Sequence, residues 1–129
     1  AQDWKAATEN FRKAAGRGVA VAQHNLALCY EHGWGSEVGV GRDEAAAVKW
    51  HRKAASQGYA PAATSLALAL GHGRGVDTPD WSEAVTLLRG AADAGHVPAM
   101  IHLASCLSSG RGVEAAGLEM NGGDEAGAG

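Results

Sequence analysis

The residues of this chain with the chemistry for covalent or acid–base work are two cysteines and six histidines, spread over 129 positions. A hydrolase would set Cys29 or Cys106 beside an imidazole base, with a carboxylate to orient the ring. His32 lies three residues beyond Cys29, on a different part of a helical surface, and no carboxylate recurs with the pair. A free cysteine packs as a small hydrophobe and is usually buried. Both thiols are therefore read as structural, and no catalytic residue is assigned. His32 and His72 stand in equivalent places 40 residues apart, which raises a metal site. Zinc needs its ligands about 2 Å away, whereas stacked helices lie roughly 10 Å apart, so neither a metal nor a cofactor is expected. The glycine-rich stretches 33–41 and 71–75 lack the Gly-Lys-Ser/Thr of a phosphate loop and follow helical patterns rather than strands, so nucleotide binding is not expected.

The elements that position these residues repeat. Ala22, Leu26, Ala27, Tyr30 and Gly33 recur as Ala62, Leu66, Ala67, Leu70 and Gly73, then as Ala99, Leu103, Ala104, Leu107 and Gly110, with a period of 40 and then 37 residues. Offsets of 0, 4, 5, 8 and 11 fall on one side of a helix, and the final glycine ends it. We call this helix A. A second block, helix B, runs from Asp3 to Gly18, Asp43 to Gly58 and Asp80 to Gly95, with Ala7, Ala47 and Ala84 aligned, as are Phe11, His51 and Leu88. Asp80 followed by Glu83 reads as a capping box, with Thr78 as a competing N-cap. Pro61 and Pro98 sit just inside the second and third A helices, where a missing N–H costs nothing. Between A and B stand Gly33-Trp34-Gly35, Gly73-Arg74-Gly75 and Gly110-Arg111-Gly112; the first connection carries a three-residue insertion within Ser36 to Gly41.

Composition agrees with this plan. Hydrophobic residues make up 46% of the chain but aromatic ones only 5%, so the core is built from Ala and Leu, which suit close helix packing better than sheets. Formal net charge is -3, and the four acidic residues past Val113 account for more than that excess, leaving the repeat region near neutral. Such a balance offers no footprint for nucleic acid or an anionic membrane. No apolar run approaches the roughly 20 residues that span a bilayer. The expected fold is an all-α, right-handed α/α solenoid of antiparallel helix pairs over residues 1–113, with a weakly ordered Gly/Ala-rich acidic tail over 114–129. Neither end carries a clear capping repeat, so the chain reads as part of a longer array.

Ala22, Leu26-Ala27, Tyr30, Gly33, Gly35, Asp43, Ala47, Trp50 and Lys53-Ala54-Ala55 together resemble the Sel-one-like repeat, a branch of the tetratricopeptide-like α-solenoids, and the resemblance spans residues 3 to 113. Ala27, Ala67 and Ala104 replace the usual glycine, Leu87 stands where Trp is common, and Gly90 replaces a Lys. The resemblance implies adaptor or scaffold work in multiprotein complexes, among them membrane-associated ubiquitin-ligase assemblies and bacterial signalling or host-interaction proteins. Cysteine-rich members that bridge their helices and have been linked to β-lactam binding differ from this chain, which has at most one Cys per repeat.

In such solenoids the side of helix A opposite its buried stripe forms a concave wall, and in the related tetratricopeptide fold that side holds peptides. Here it carries His24, Leu28, Glu31 and His32, then Thr64, Leu68 and His72, then Ile101, Ser105 and Ser108. These are the candidate partner-binding residues, with Leu28, Leu68 and Ile101 as an apolar thread for a helix or an extended segment. No Lys or Arg is among them, which argues against a clamp for a terminal carboxylate. Trp34, in the inserted loop, is either a contact residue or a lid over a helix end. The expected partner is a protein or peptide rather than nucleic acid or membrane, and the final A helix, lacking a following B helix, is expected to favour self-association. A structural segment of a larger multidomain protein is the alternative role, and a Cys/His hydrolase the third.

Overall fold

The computed structural model describes residues 3–112; the tail expected over 114–129 lies outside them. Six α-helices follow one another: α1 (Trp4–Gly16), α2 (Ala20–His32), α3 (Glu44–Ala55), α4 (Ala60–His72), α5 (Trp81–Asp93) and α6 (Val97–Ser109). The odd-numbered helices are the B blocks and the even-numbered ones the A blocks. Each packs on the helices before and after it, and α4 also touches α6, so the chain is a solenoid of antiparallel pairs. Among the described residues no strand forms; the insertion makes a short 3-10 turn at Ser36–Val38 and one isolated bridge between Gly35 and Val40.

Helix boundaries follow local chemistry. Asp3, Asp43 and Asp80 each cap a B helix by accepting from the backbone N–H three residues on, at Ala6, Ala46 and Glu83. The capping box expected at Asp80 is only half made. Glu83 turns its carboxylate to Arg52 at 2.8 Å, and the Asp80 N–H goes instead to the Leu70 carbonyl. Each A helix ends on a left-handed glycine, Gly33, Gly73 or Gly110, whose positive φ other residues adopt only with strain.

The second glycine of the turn answers a different need. A Cβ on Gly75 would stand 2.2 Å from the Glu44 carbonyl oxygen, and one on Gly112 equally close to that of Trp81. The turn thus lies directly on the first residue of the preceding B helix, and that close approach fixes where the intervening residue points. In the first pair Gly35 meets Thr8 and Val40, the insertion is tied down by Arg12 donating to the Val38 carbonyl, and Val40 is fully buried.

The core runs along the stack as predicted. Leu26, Ala27, Leu66, Ala67, Leu70 and Ala99 are buried, with Ala15, Ala54 and Ala91 from the B helices between them. In the last copy Leu103 is half-buried and Ala104 and Leu107 are exposed.

Candidate functional site

The predicted A-helix surface divides into two clusters. The first centres on a residue placed in the B stripe, His51 of α3. Its slot holds Phe11 and Leu88 in the other copies, and it is itself buried. A buried imidazole must have its nitrogens satisfied. Glu31 of α2 accepts from His51 Nε2 at 3.2 Å, which leaves Nδ1 as the acceptor in the neutral ring. His24 Nδ1, 3.1 Å away, then donates to it. The edge of the His24 ring also packs against Tyr59, at the N-cap of α4, with centroids 5.5 Å apart. His51 lowers the Glu31 carboxyl by this hydrogen bond, outweighing burial. The His24 pKa is lowered to about 4, chiefly by burial and then by His51, against the opposing pull of Glu31.

A Glu–His–His line of this kind can relay a proton but needs a nucleophile to do covalent work. Cys29 does not serve, because it is fully buried and its Sγ is 3.5 Å from Thr8 Oγ1. Cys106 is buried too, and burial pushes its thiol up, away from the thiolate form, although Arg111 pulls the other way. The Cys–His–acid triad of a hydrolase is not assembled among the described residues. No three His, Cys, Asp or Glu side chains converge there as ligands for one ion either.

The second cluster is a cleft of about 180 Å³ between α4 and α6. Predicted residues Leu68, His72 and Ser105 line it, together with Trp81, His102 and Cys106. No Lys or Arg is among the predicted residues, but Arg74 and Arg111 line the same cleft. Both are the middle residue of a Gly-Arg-Gly turn, and the turn's seat on the B helix carries them into the groove. Arg111 lies over the Trp81 ring, 4.3 Å from its centroid, and donates to Ser105 Oγ and Ser109 Oγ. The other wall of Trp81 is Gly71, where a Cβ would come within 2.5 Å of the ring. Burial lowers the His72 pKa, with further lowering from Arg74, Arg111 and His102.

The remaining predicted residues are dispersed. Leu28 is half-buried and Ile101 is 63% exposed. Thr64 is buried and its hydroxyl donates to the Ala60 carbonyl of its own helix. Ser108 is exposed and donates to the Ser105 carbonyl. Trp34 stacks on Trp4 and His32, with ring centroids 4.6 and 4.5 Å away, and leaves 39% of its surface open. Trp50 is half-buried against the core group of Ala15, Ala22, Leu26, Cys29 and Val40, with the Lys53 ammonium 4.6 Å from its ring centroid.

Known proteins place this arrangement. No curated protein matches the sequence. Among solved structures, the chain is similar to a protective antigen present in uropathogenic Escherichia coli strains and displaying an SLR fold, at 35% identity and a TM-score of 0.72, over 81% of this chain and 21% of that one. It is similar also to a Sel1 repeat protein from Oxalobacter formigenes, at 33% identity and a TM-score of 0.70, over 81% of this chain and 41% of that one. The chain thus spans less than half the length of either. The Sel1 repeat model matches residues 20–59, 60–96 and 97–116, and its first two units are α2 with α3 and α4 with α5. Repeat solenoids of this kind serve generally as protein-interaction scaffolds. With matches over most of its length and an A-then-B unit in register with each of the first two, the chain belongs to the Sel1 repeat family.

Proposed function

We propose that the chain is a non-enzymatic protein-interaction scaffold that seats a partner peptide or helix along its A-helix side. The contact residues are His24, Leu28, Glu31, His32, Thr64, Leu68, His72, Ile101, Ser105 and Ser108, with Trp34 at the edge. The observation that carries this reading is the row Leu28, Leu68 and Ile101. Leu28 and Leu68 occupy one surface position on successive A helices, Ile101 lies one turn earlier on the third, and each keeps apolar area open to solvent. An apolar row framed by polar groups suits an amphipathic helix or an extended segment. Bound Cys29 and a raised Cys106 thiol support the non-enzymatic part.

Selection of peptides from a random displayed library tests the reading. Binders are expected whose affinity drops at least tenfold on Leu28→Asp or Leu68→Asp, with the melting temperature of each variant close to the parent's. Binders indifferent to both substitutions would place the contact elsewhere. A second role, as a structural segment within a larger multidomain protein, draws support from the greater length of both similar proteins. Self-association through α6 draws support from the exposure of Val97, Met100, Ile101 and Leu107 on that helix; a concentration-dependent sedimentation coefficient is its expected signature.

A further inference from the structure

The cleft between α4 and α6 holds two guanidinium groups that enter no ion pair among the described residues. The arginine ion pairs among the described residues are Arg42 with Glu44 and Arg52 with Glu83. Arg74 and Arg111 belong to none of them. Arg74 borders Glu31 and Glu44 on its far side; its charge helps to lower the Glu31 carboxyl, but neither carboxylate comes close enough to form an ion pair with it. Arg111 spends two of its donors on serine hydroxyls, which are neutral. No carboxylate lines the cleft, which His72 and His102 also border. In a chain of net charge -3, so local a positive site is not the product of general composition.

The cleft also has an apolar side. Leu68 and the Trp81 ring form part of its wall, and the Trp81 ring is held in place by Gly71 on one side and Arg111 on the other. Its volume of about 180 Å³ is below the roughly 300–1,000 Å³ of ordinary small-molecule pockets. It therefore matches a side chain and its neighbour better than a free cofactor. Arginine offers planar donors in a fork that fits a carboxylate, and such charge-assisted bonds are about twice as strong as neutral ones.

Resting on the scaffold reading above, we propose that this cleft is the specificity site of the groove, and that it receives an acidic side chain of an apolar partner peptide through Arg74 and Arg111. The partner is thus an acidic, leucine-rich segment of another protein. One anchored carboxylate beside an apolar thread sets the direction and register in which the segment lies.

Fluorescence anisotropy with two labelled peptides tests this, one of alternating Leu and Glu and one with Gln for every Glu. The Glu peptide is expected to bind at least tenfold more tightly. Arg111→Gln and Arg74→Gln should each remove about tenfold of that affinity, the equivalent of about 1.4 kcal/mol, and leave the Gln peptide unaffected. Arg111→Lys should restore part of the loss, and Arg17→Gln, an exposed helix-end control, should change nothing. Equal affinity for the two peptides, with sensitivity to Leu28→Asp retained, overturns the acidic specificity and leaves the scaffold reading standing. Indifference of the Glu peptide to Leu28→Asp, with sensitivity to Arg111→Gln retained, does the reverse. Tighter binding of a single-stranded oligonucleotide than of the Glu peptide also overturns the proposal. So does a gain in peptide affinity when Glu114, Glu119, Asp124 and Glu125 are all changed to Gln, since the site's occupant would then be this chain's own acidic residues.

Discussion

Helices α4 and α6 carry the same framework and occupy the same place in their repeats, yet they meet different surroundings. In α4, Leu66 is 1% exposed and Leu70 3%, because α3 covers one side and α5 the other. In α6, Ala99 is equally buried against α5, but Leu107 is 40% exposed and Ala104 lies open. The framework side chains are the same in the two helices, so their burial is set by the neighbours a helix has. The same contrast runs through the polar contacts. Arg52 reaches forward to Glu83 in the next B helix, whereas Arg89, in the equivalent slot, has a buried Nε with no hydrogen-bond partner among the described residues. In a solenoid, stability is a sum over interfaces between units, and the value of a residue changes with its position in the stack.

The largest expected difference between the two helices comes from one substitution made in each. Leu66→Asp places an unpaired charge in a closed core and is expected to cost about 4 kcal/mol or more. Leu107→Asp places the same charge where water already reaches and is expected to cost less than about 1 kcal/mol. Urea unfolding of both variants measures this. Equal losses would mean that α6 is covered as fully as α4.

Next in size is a helix-interior glycine. Gly71 of α4 is in the slot of Ser108 of α6, and it is buried because Trp81 lies flat against it. A Cβ there would come within 2.5 Å of the ring. Alanine normally gains about 0.5–1 kcal/mol over glycine in a helix, but here that gain is outweighed by overpacking, for a net loss of about 2 kcal/mol. Gly71→Ala should also lower affinity at the Arg111 cleft, whose wall is the same ring. Ser108→Ala, at the open end, is expected to change neither property.

The repeat plan was readable because helix packing imposes it on small residues. Close contact demands Ala at fixed places, and chain reversal demands glycine, so Ala62, Ala67 and Gly73 announce themselves by spacing alone. The site was less readable, for a physical reason. The middle residue of Gly-x-Gly reads as a free loop position, and only the backbone contacts of Gly75 and Gly112 with α3 and α5 turn Arg74 and Arg111 into the groove. His51 was likewise placed on the apolar stripe, and its role as a buried link between Glu31 and His24 depends on the register between α2 and α3. A signal did exist in the sequence. A histidine in a slot held elsewhere by Phe11 and Leu88 calls for partners, and Glu31 and His24, seven residues apart and so on one side of α2, are the polar residues that meet it.

That cluster supplies a pH-dependent contrast between the ends of the stack. His24 is in the slot of Ile101, so α6 has no titrating group there. Above pH 6.5 His24 is neutral in the folded and the unfolded chain. As pH falls from 6.5 towards its folded value of about 4, the unfolded chain takes up a proton that the folded one refuses, and stability drops. The shift corresponds to about 1.36 kcal/mol per pKa unit at most; for a partly solvated ring the screened effect is about 1 kcal/mol. Glu31, lowered as well, adds a loss in the same direction below its ordinary carboxyl range. Unfolding free energies at pH 7 and pH 5 are expected to differ by about that amount, and His24→Gln should flatten the difference. An unchanged slope in the variant would assign the acid sensitivity to other groups.

The smallest effect comes from the other interior glycine. Gly90 of α5 stands where α1 and α3 have Lys13 and Lys53, and unlike Gly71 it would meet nothing within 4 Å on gaining a Cβ. Its backbone is helical and its surroundings are an open cleft lined by Ala55, Ala63, Leu87 and Ala94. Glycine there raises the entropy lost on folding without meeting any steric need. Gly90→Ala is therefore expected to stabilise the chain by about 0.5 kcal/mol, seen as a small rise in the urea midpoint with an unchanged slope. The two glycines, one in α4 and one in α5, then change stability in opposite directions under the same substitution. A destabilised Gly90→Ala would show that the cleft closes in solution on a neighbour.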